Sequence, residues 1–93
     1  MNIVYHNPFQ VEIERLFPGQ FWSLDNEAHL ARESRLTYYT LKQKALYCYQ
    51  EAVLALLRSD LHHDRLAFLH GQYRDVTEEL EWNGRRLRWL QQK

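Results

Sequence analysis

Leu66-Ala67-Phe68-Leu69-His70-Gly71-Gln72-Tyr73-Arg74-Asp75-Val76-Thr77-Glu78-Glu79-Leu80-Glu81-Trp82-Asn83-Gly84-Arg85-Arg86-Leu87-Arg88-Trp89-Leu90 carries one series in alternating steps of three and four. Its members are Leu66, Leu69, Tyr73, Val76, Leu80, Asn83, Leu87 and Leu90, with Asn83 the one polar member. At about 3.6 residues per turn they form a single stripe, the mark of helix-on-helix packing. Leu66, Tyr73, Leu80 and Leu87 take the a positions of a heptad, and Leu69, Val76, Asn83 and Leu90 the d positions.

A parallel zipper adds complementary charges at e and g. Here e holds His70, Thr77, Gly84 and Gln91, and g holds Arg65, Gln72, Glu79 and Arg86, which is no such code. The stripe therefore reads as one wall of an antiparallel hairpin or bundle. Asn83 either fixes the register of that packing or lies near its wet end.

Working back along the chain, Ser59-Asp60 interrupts the pattern and offers a new helix cap. From Leu24 to Arg58 there is neither proline nor glycine, which suits one long helix. It has a stripe of mostly small residues (Tyr38, Leu41, Ala45, Cys48, Ala52, Ala55) beside one of larger residues (Tyr39, Leu46, Val53, Leu57). Two stripes imply two partners: the following helix, and either the N-terminal segment or a second chain. Further upstream, Asn7-Pro8 is a helix start, Pro18-Gly19 a helix stop, and Ser23 or Asp25 a candidate cap for the long helix. Residues 1–6 read as an extended arm. Gly71 and Gly84, inside the last helix, read as places of close packing or bends.

The expected architecture is all-α, one helical domain over 1–93. An N-terminal arm and short helix occupy 1–22, and long helices over 24–58 and 61–91 form an antiparallel hairpin, assembled into a dimeric helical bundle.

Composition narrows the function. Twelve Lys and Arg balance twelve Asp and Glu, so global charge selects no polyanion. Cys48 is the one cysteine, so no internal disulfide is open to it. No stretch is long and apolar enough to span a bilayer, and Met1-Asn2-Ile3-Val4-Tyr5-His6 lacks the features of a secretion signal. A cytoplasmic protein with no membrane partner is the expectation.

Phe68, Trp82 and Trp89 share a helical phase outside the a/d stripe, and Arg85, Arg86 and Arg88 lie among them. Trp and Arg dominate binding energy when desolvated, so these six are the candidate partner-binding residues. The alternative is a core wide enough to include the rings. The function should then move to the second helix around Arg32, Arg35 and Lys42. Arginines beside tryptophans also suit phosphates and unpaired bases, but Asp75, Glu78, Glu79 and Glu81 just upstream would repel a long polyanion.

Chemistry leaves fainter traces. His62, His63 and Asp64 are contiguous and His70 lies seven residues after His63, without the tight pair spacing of a zinc site. No metal or other cofactor is expected. Arg65-Leu66-Ala67-Phe68-Leu69-His70 has the form Arg, four residues, His, which resembles the motif of the HEPN ribonucleases, all-helical proteins that act on RNA across a dimer. That resemblance implies His70 as acid or base and Arg65 on phosphate charge, though Leu66 stands where the family usually has a polar residue. No glycine-rich phosphate loop is present. The favoured expectation is a non-enzymatic adaptor, regulator or assembly factor. It would pair with itself as a homodimer and bind an unidentified protein. Nucleic-acid association is second and a small helical ribonuclease third.

Overall fold

A computed structural model of the chain describes residues 7–59 and 63–92, with side chains of the second segment described from Arg65. It holds α1 (Pro8–Leu16), one 3₁₀ turn (Glu27–His29), α2 (Arg32–Leu57) and α3 (His63–Gln91), with no strand among the described residues. The expected arm at 1–6 and cap at Asp60 lie outside these residues.

α1 starts where Asn7-Pro8 requires. The Asn7 side-chain oxygen accepts from the Gln10 N–H at 2.9 Å, and Pro8, which has no N–H to leave orphaned, opens the helix. The helix closes with the Phe17 N–H on the Ile13 carbonyl. Gly19 then turns the chain at φ +73°, in the left-handed region that glycine enters without strain.

α2 begins at Arg32, eight residues after the expected Leu24. Neither Ser23 nor Asp25 caps it; Ala31 stands at its N-cap with no side-chain bond. The absence of proline and glycine permits a helix but does not compel one. Asn26 adopts the left-handed conformation (φ 55°), a role short Asx side chains fill well, and this breaks the run. Residues 17–31 thus form a connecting strap. Its main chain is gripped by α2: the Tyr38 hydroxyl reaches the carbonyls of Gln20 (2.8 Å) and Phe21 (2.9 Å), and Lys42 Nζ donates to that of Trp22 (3.0 Å).

α2 and α3 form the antiparallel hairpin. Cross-helix hydrogen bonds fix the direction: Arg32 pairs with the Leu90 carbonyl, Asn83 with that of Tyr39, and Gln50 with Thr77. As the number rises on one helix, it falls on the other. Toward the turn, Leu46, Tyr49 and Val53 bury against Leu69, Val76 and Leu80. At the far end, Ile13 and Phe21 from the N-terminal segment join Tyr38, Tyr39, Ala45 and Leu90. Burying a large apolar side chain contributes roughly 1.5–3 kcal/mol, so these two clusters carry most of the driving force.

The heptad stripe packs as read. Leu69, Val76, Leu80, Asn83 and Leu90 are buried, and Leu66, Tyr73 and Leu87 are half-buried. Asn83 is fully buried, so the wet-end reading of this residue fails; its amide joins the two helices instead. The second stripe of α2 finds its cover in α1 and Phe21 around Tyr38 and Ala45. Farther along that stripe Cys48 and Ala52 are half-buried and Ala55 is exposed. The glycines do not mark close packing: a Cβ on Gly71 would meet nothing within 4 Å, and one on Gly84 only ordinary contacts with Gln43 (3.7 Å) and Arg88 (3.8 Å).

Candidate functional site

The six sequence-selected residues divide between two surfaces of α3. Phe68, Trp82 and Trp89 are exposed at 59%, 51% and 41%, so the wide-core alternative does not hold for them. Arg86 joins these rings: its guanidinium carbon lies 4.7 Å from the centre of the Trp89 ring. Arg85 and Arg88 face elsewhere, lining a shallow hollow with Tyr47, Gln50, Thr77 and Gly84. Helical geometry explains the split, since adjacent residues differ by about 100° around the axis.

The tryptophan face has a second wall that periodicity did not find. The strap brings Trp22, 53% exposed, to the same side of the hairpin, where Trp22, Leu24, Tyr39, Lys42, Glu79 and Trp82 line a groove of about 380 Å³. Phe21 steadies the indole of Trp22 edge to face, ring centres 4.7 Å apart. Tyr39 lies under Trp82, with centres 6.1 Å apart.

Glu27 locks the strap over this face. Its carboxylate accepts from the Tyr39 hydroxyl at 3.0 Å through one oxygen and from Arg86 Nε at 2.9 Å through the other, and Arg86 also forms a salt bridge to it. Burial and the bond to Glu27 raise the Tyr39 hydroxyl above its ordinary range, against the opposing pull of Arg86. Burial alone would lower the Arg86 guanidinium, but Glu27 and Tyr39 outweigh it and raise it. One side chain from each of three segments is therefore held in a single polar knot.

Lys42 is the unexpected element. Expected on an exposed face with Arg32 and Arg35, its side chain is only 2% exposed. Its ammonium rests on the Trp22 carbonyl, 5.6 Å from the Tyr38 ring centre and 4.0 Å from a Glu79 oxygen. Burial depresses its pKa, and Glu79 only partly offsets this. Arg35 is half-buried, and Arg32 reaches the Leu90 carbonyl at 2.8 Å.

Trp22, Glu27 and Tyr39 were thus missed as parts of this face, and Lys42, expected on the exposed side of the second helix, was misplaced. The one signal in the sequence was the Phe21-Trp22 pair, because two large rings in a loop must either bury or serve a surface. Arg65 and His70 both sit exposed on α3. No group of three or more His, Cys, Asp or Glu poised for a metal occurs among the described residues; His62 and the side chains of His63 and Asp64 lie outside them. No helix of the described residues is long and apolar enough to cross a membrane. No protein-family model, curated protein or solved structure matches this chain.

Proposed function

We propose that the protein is a small non-enzymatic interaction module, an adaptor, regulator or assembly factor, that binds a protein partner through the face carrying Trp22, Trp82, Arg86 and Trp89. One observation carries the reading: three tryptophans from two separate segments stand half-exposed on one side, held by Phe21, Tyr39 and the Glu27 knot. Large rings fixed in advance lose little freedom on binding, and tryptophan and arginine are the commonest hot-spot residues. Arg86 already neutralises Glu27, which leaves it little charge for a phosphate backbone and favours a protein over a nucleic acid.

A photo-crosslinking residue at position 82 or 22 should capture one partner in native cells, and the same residue at exposed position 51 on α2 should not. Trp82→Ala with Trp89→Ala should abolish capture while leaving helicity intact. Equal capture from position 51, or unfolding of the double variant, defeats the reading.

A homodimer is a second reading. Tyr47, 53% exposed on α2 beside Gly84 and Arg88, offers an apolar spot away from the tryptophans. Light scattering after size exclusion tests it, with Tyr47→Glu expected to restore a monomer.

A further inference from the structure

The tryptophan groove continues toward the hairpin turn, and its character changes there. A second hollow, about 480 Å³, adjoins the first and shares Trp22 and Glu79 as walls. Its rim on α3 is Asp75, Glu78 and Glu79, and its inner side includes Tyr49 and Leu46. The cations nearby do not balance that rim. Lys42 is buried on the Trp22 carbonyl and reaches one rim carboxylate, Glu79, at 4.0 Å; Arg74 makes one long contact of 3.8 Å to Asp75 in full solvent, a pairing worth little, and Glu78 is in no salt bridge among the described residues. From Gln72 to Trp82 the two hollows follow α3 for roughly 15 Å, room for about three turns of helix.

We infer that this aromatic and acidic groove takes a basic amphipathic helix of a protein partner, with a lysine or arginine of that helix over Trp22 and between Asp75 and Glu79. Charge complementarity selects the occupant. An acidic segment or a nucleic acid would set its charge against three carboxylates. A purely apolar helix would desolvate them with too few cations to compensate, which costs more than it gains. A cation gains twice, from the carboxylates and from the electron-rich face of the indole. The inference rests on the interaction-module reading, and names the chemistry of the partner for that same face.

The test titrates the whole protein with two fourteen-residue helical peptides, one of leucine and lysine and one of leucine and glutamate, following tryptophan fluorescence. The lysine peptide should bind at least about tenfold more tightly than the glutamate peptide, and more weakly as salt rises. Asp75→Lys with Glu78→Lys should reverse the preference, and Trp22→Ala should weaken the lysine peptide about tenfold. Arg85→Gln, outside the groove, should change nothing. Circular dichroism confirms that each variant is folded, and Trp22→Phe, which keeps an aromatic face, should retain part of the affinity. Equal affinity for the two peptides, no binding of the lysine peptide, or preferential binding of a single-stranded RNA overturns the inference. So does self-association of the chain that Asp75→Lys with Glu78→Lys disrupts. Capture from positions 22 and 82 alongside any of these results would leave the protein-binding face standing and remove only its preference for basic segments.

Discussion

Asn83 of α3 donates its side-chain amide to the main-chain carbonyl of Tyr39 in α2 across 3.0 Å, inside a wholly buried part of the hairpin. The same nitrogen donates to Gln43 Oε1 at 2.7 Å, while Asn83 Oδ1 is buried with no partner among the described residues. The pair thus sets the register of two helices at the cost of one unsatisfied oxygen.

Asn83→Ala should lose about 1–3 kcal/mol, from the lost bonds and the stranded Gln43 oxygen. Asn83→Asp should lose more, because a carboxylate there would face two acceptor oxygens and no donor. Its pKa in the folded variant would rise above the unfolded value. The variant should therefore regain stability relative to wild type as pH falls through that folded value. Urea melts at two pH values give the answer; equal losses for both variants at neutral pH would show that the site is wet.

Removing the Glu27 carboxylate should free the end of the strap nearest α2 and leave the hairpin in place. Glu27→Ala is expected to cost about 1.5–3 kcal/mol, since the three bonds to it, one from Tyr39 and two from Arg86, are charge-assisted and partly sheltered. Tyr39→Phe and Arg86→Met should each cost less, and each should cost almost nothing further in the Glu27→Ala background. A double-mutant cycle on melting midpoints reads this coupling; strict additivity would mean that the knot contributes no shared energy.

Lys42→Met should cost about 1 kcal/mol near neutral pH, because it strands the Trp22 carbonyl that the ammonium holds, while relief of the ammonium's desolvation offsets part of that loss. The sign with pH follows. Lys42 has a folded pKa below the ordinary lysine value of 10.5, so the unfolded chain binds more protons between the two values. Its contribution therefore becomes more favourable as pH rises through that window. The buried Tyr38 and Tyr39 hydroxyls are raised and act in the opposite sense at higher pH. The effect is accordingly read as a growing advantage of wild type over Lys42→Met as pH rises through that window. An advantage that shrinks there refutes this account.

Gly71→Ala and Gly84→Ala should each stabilise α3 by about 0.5–1 kcal/mol, because each position is helical and the added methyl finds space. Thermal unfolding of the isolated protein is sufficient. A Gly84→Ala loss would mean that Gln43 or Arg88 does not yield.

Leu80→Ala should cost about 2–5 kcal/mol, and exposed Glu78→Ala far less. Equal melting temperatures would mean that the register of α3 is different.

Periodicity was sufficient for α3 because a long stripe of eight members admits one helical phase. Asn7-Pro8 was sufficient for α1 because cap chemistry is local. The strap was illegible for the opposite reason. Residues 24–31 contain nothing that forbids a helix, and what excludes one is the grip of Tyr38, Lys42 and Tyr39 on segments far away in sequence. Lys42 was misplaced because a lone lysine reads as solvated unless its distant carbonyl partner is known. Two of the three tryptophans of the aromatic face, Trp82 and Trp89, were likewise visible on α3. Trp22 was not, since its position depends on how the strap folds back.

That grip has an evolutionary corollary. α2 holds the strap by the carbonyls of three consecutive residues, Gln20, Phe21 and Trp22, and every amino acid supplies a carbonyl. Side chains along this stretch are thereby relieved of much of their anchoring duty, with Phe21 retaining a buried role. Position 22 can be exchanged over generations, one ring or charge for another, without loosening the scaffold beneath it. A module built this way can acquire new binding preferences by drift at one loop residue, while the hairpin that carries it stays unchanged.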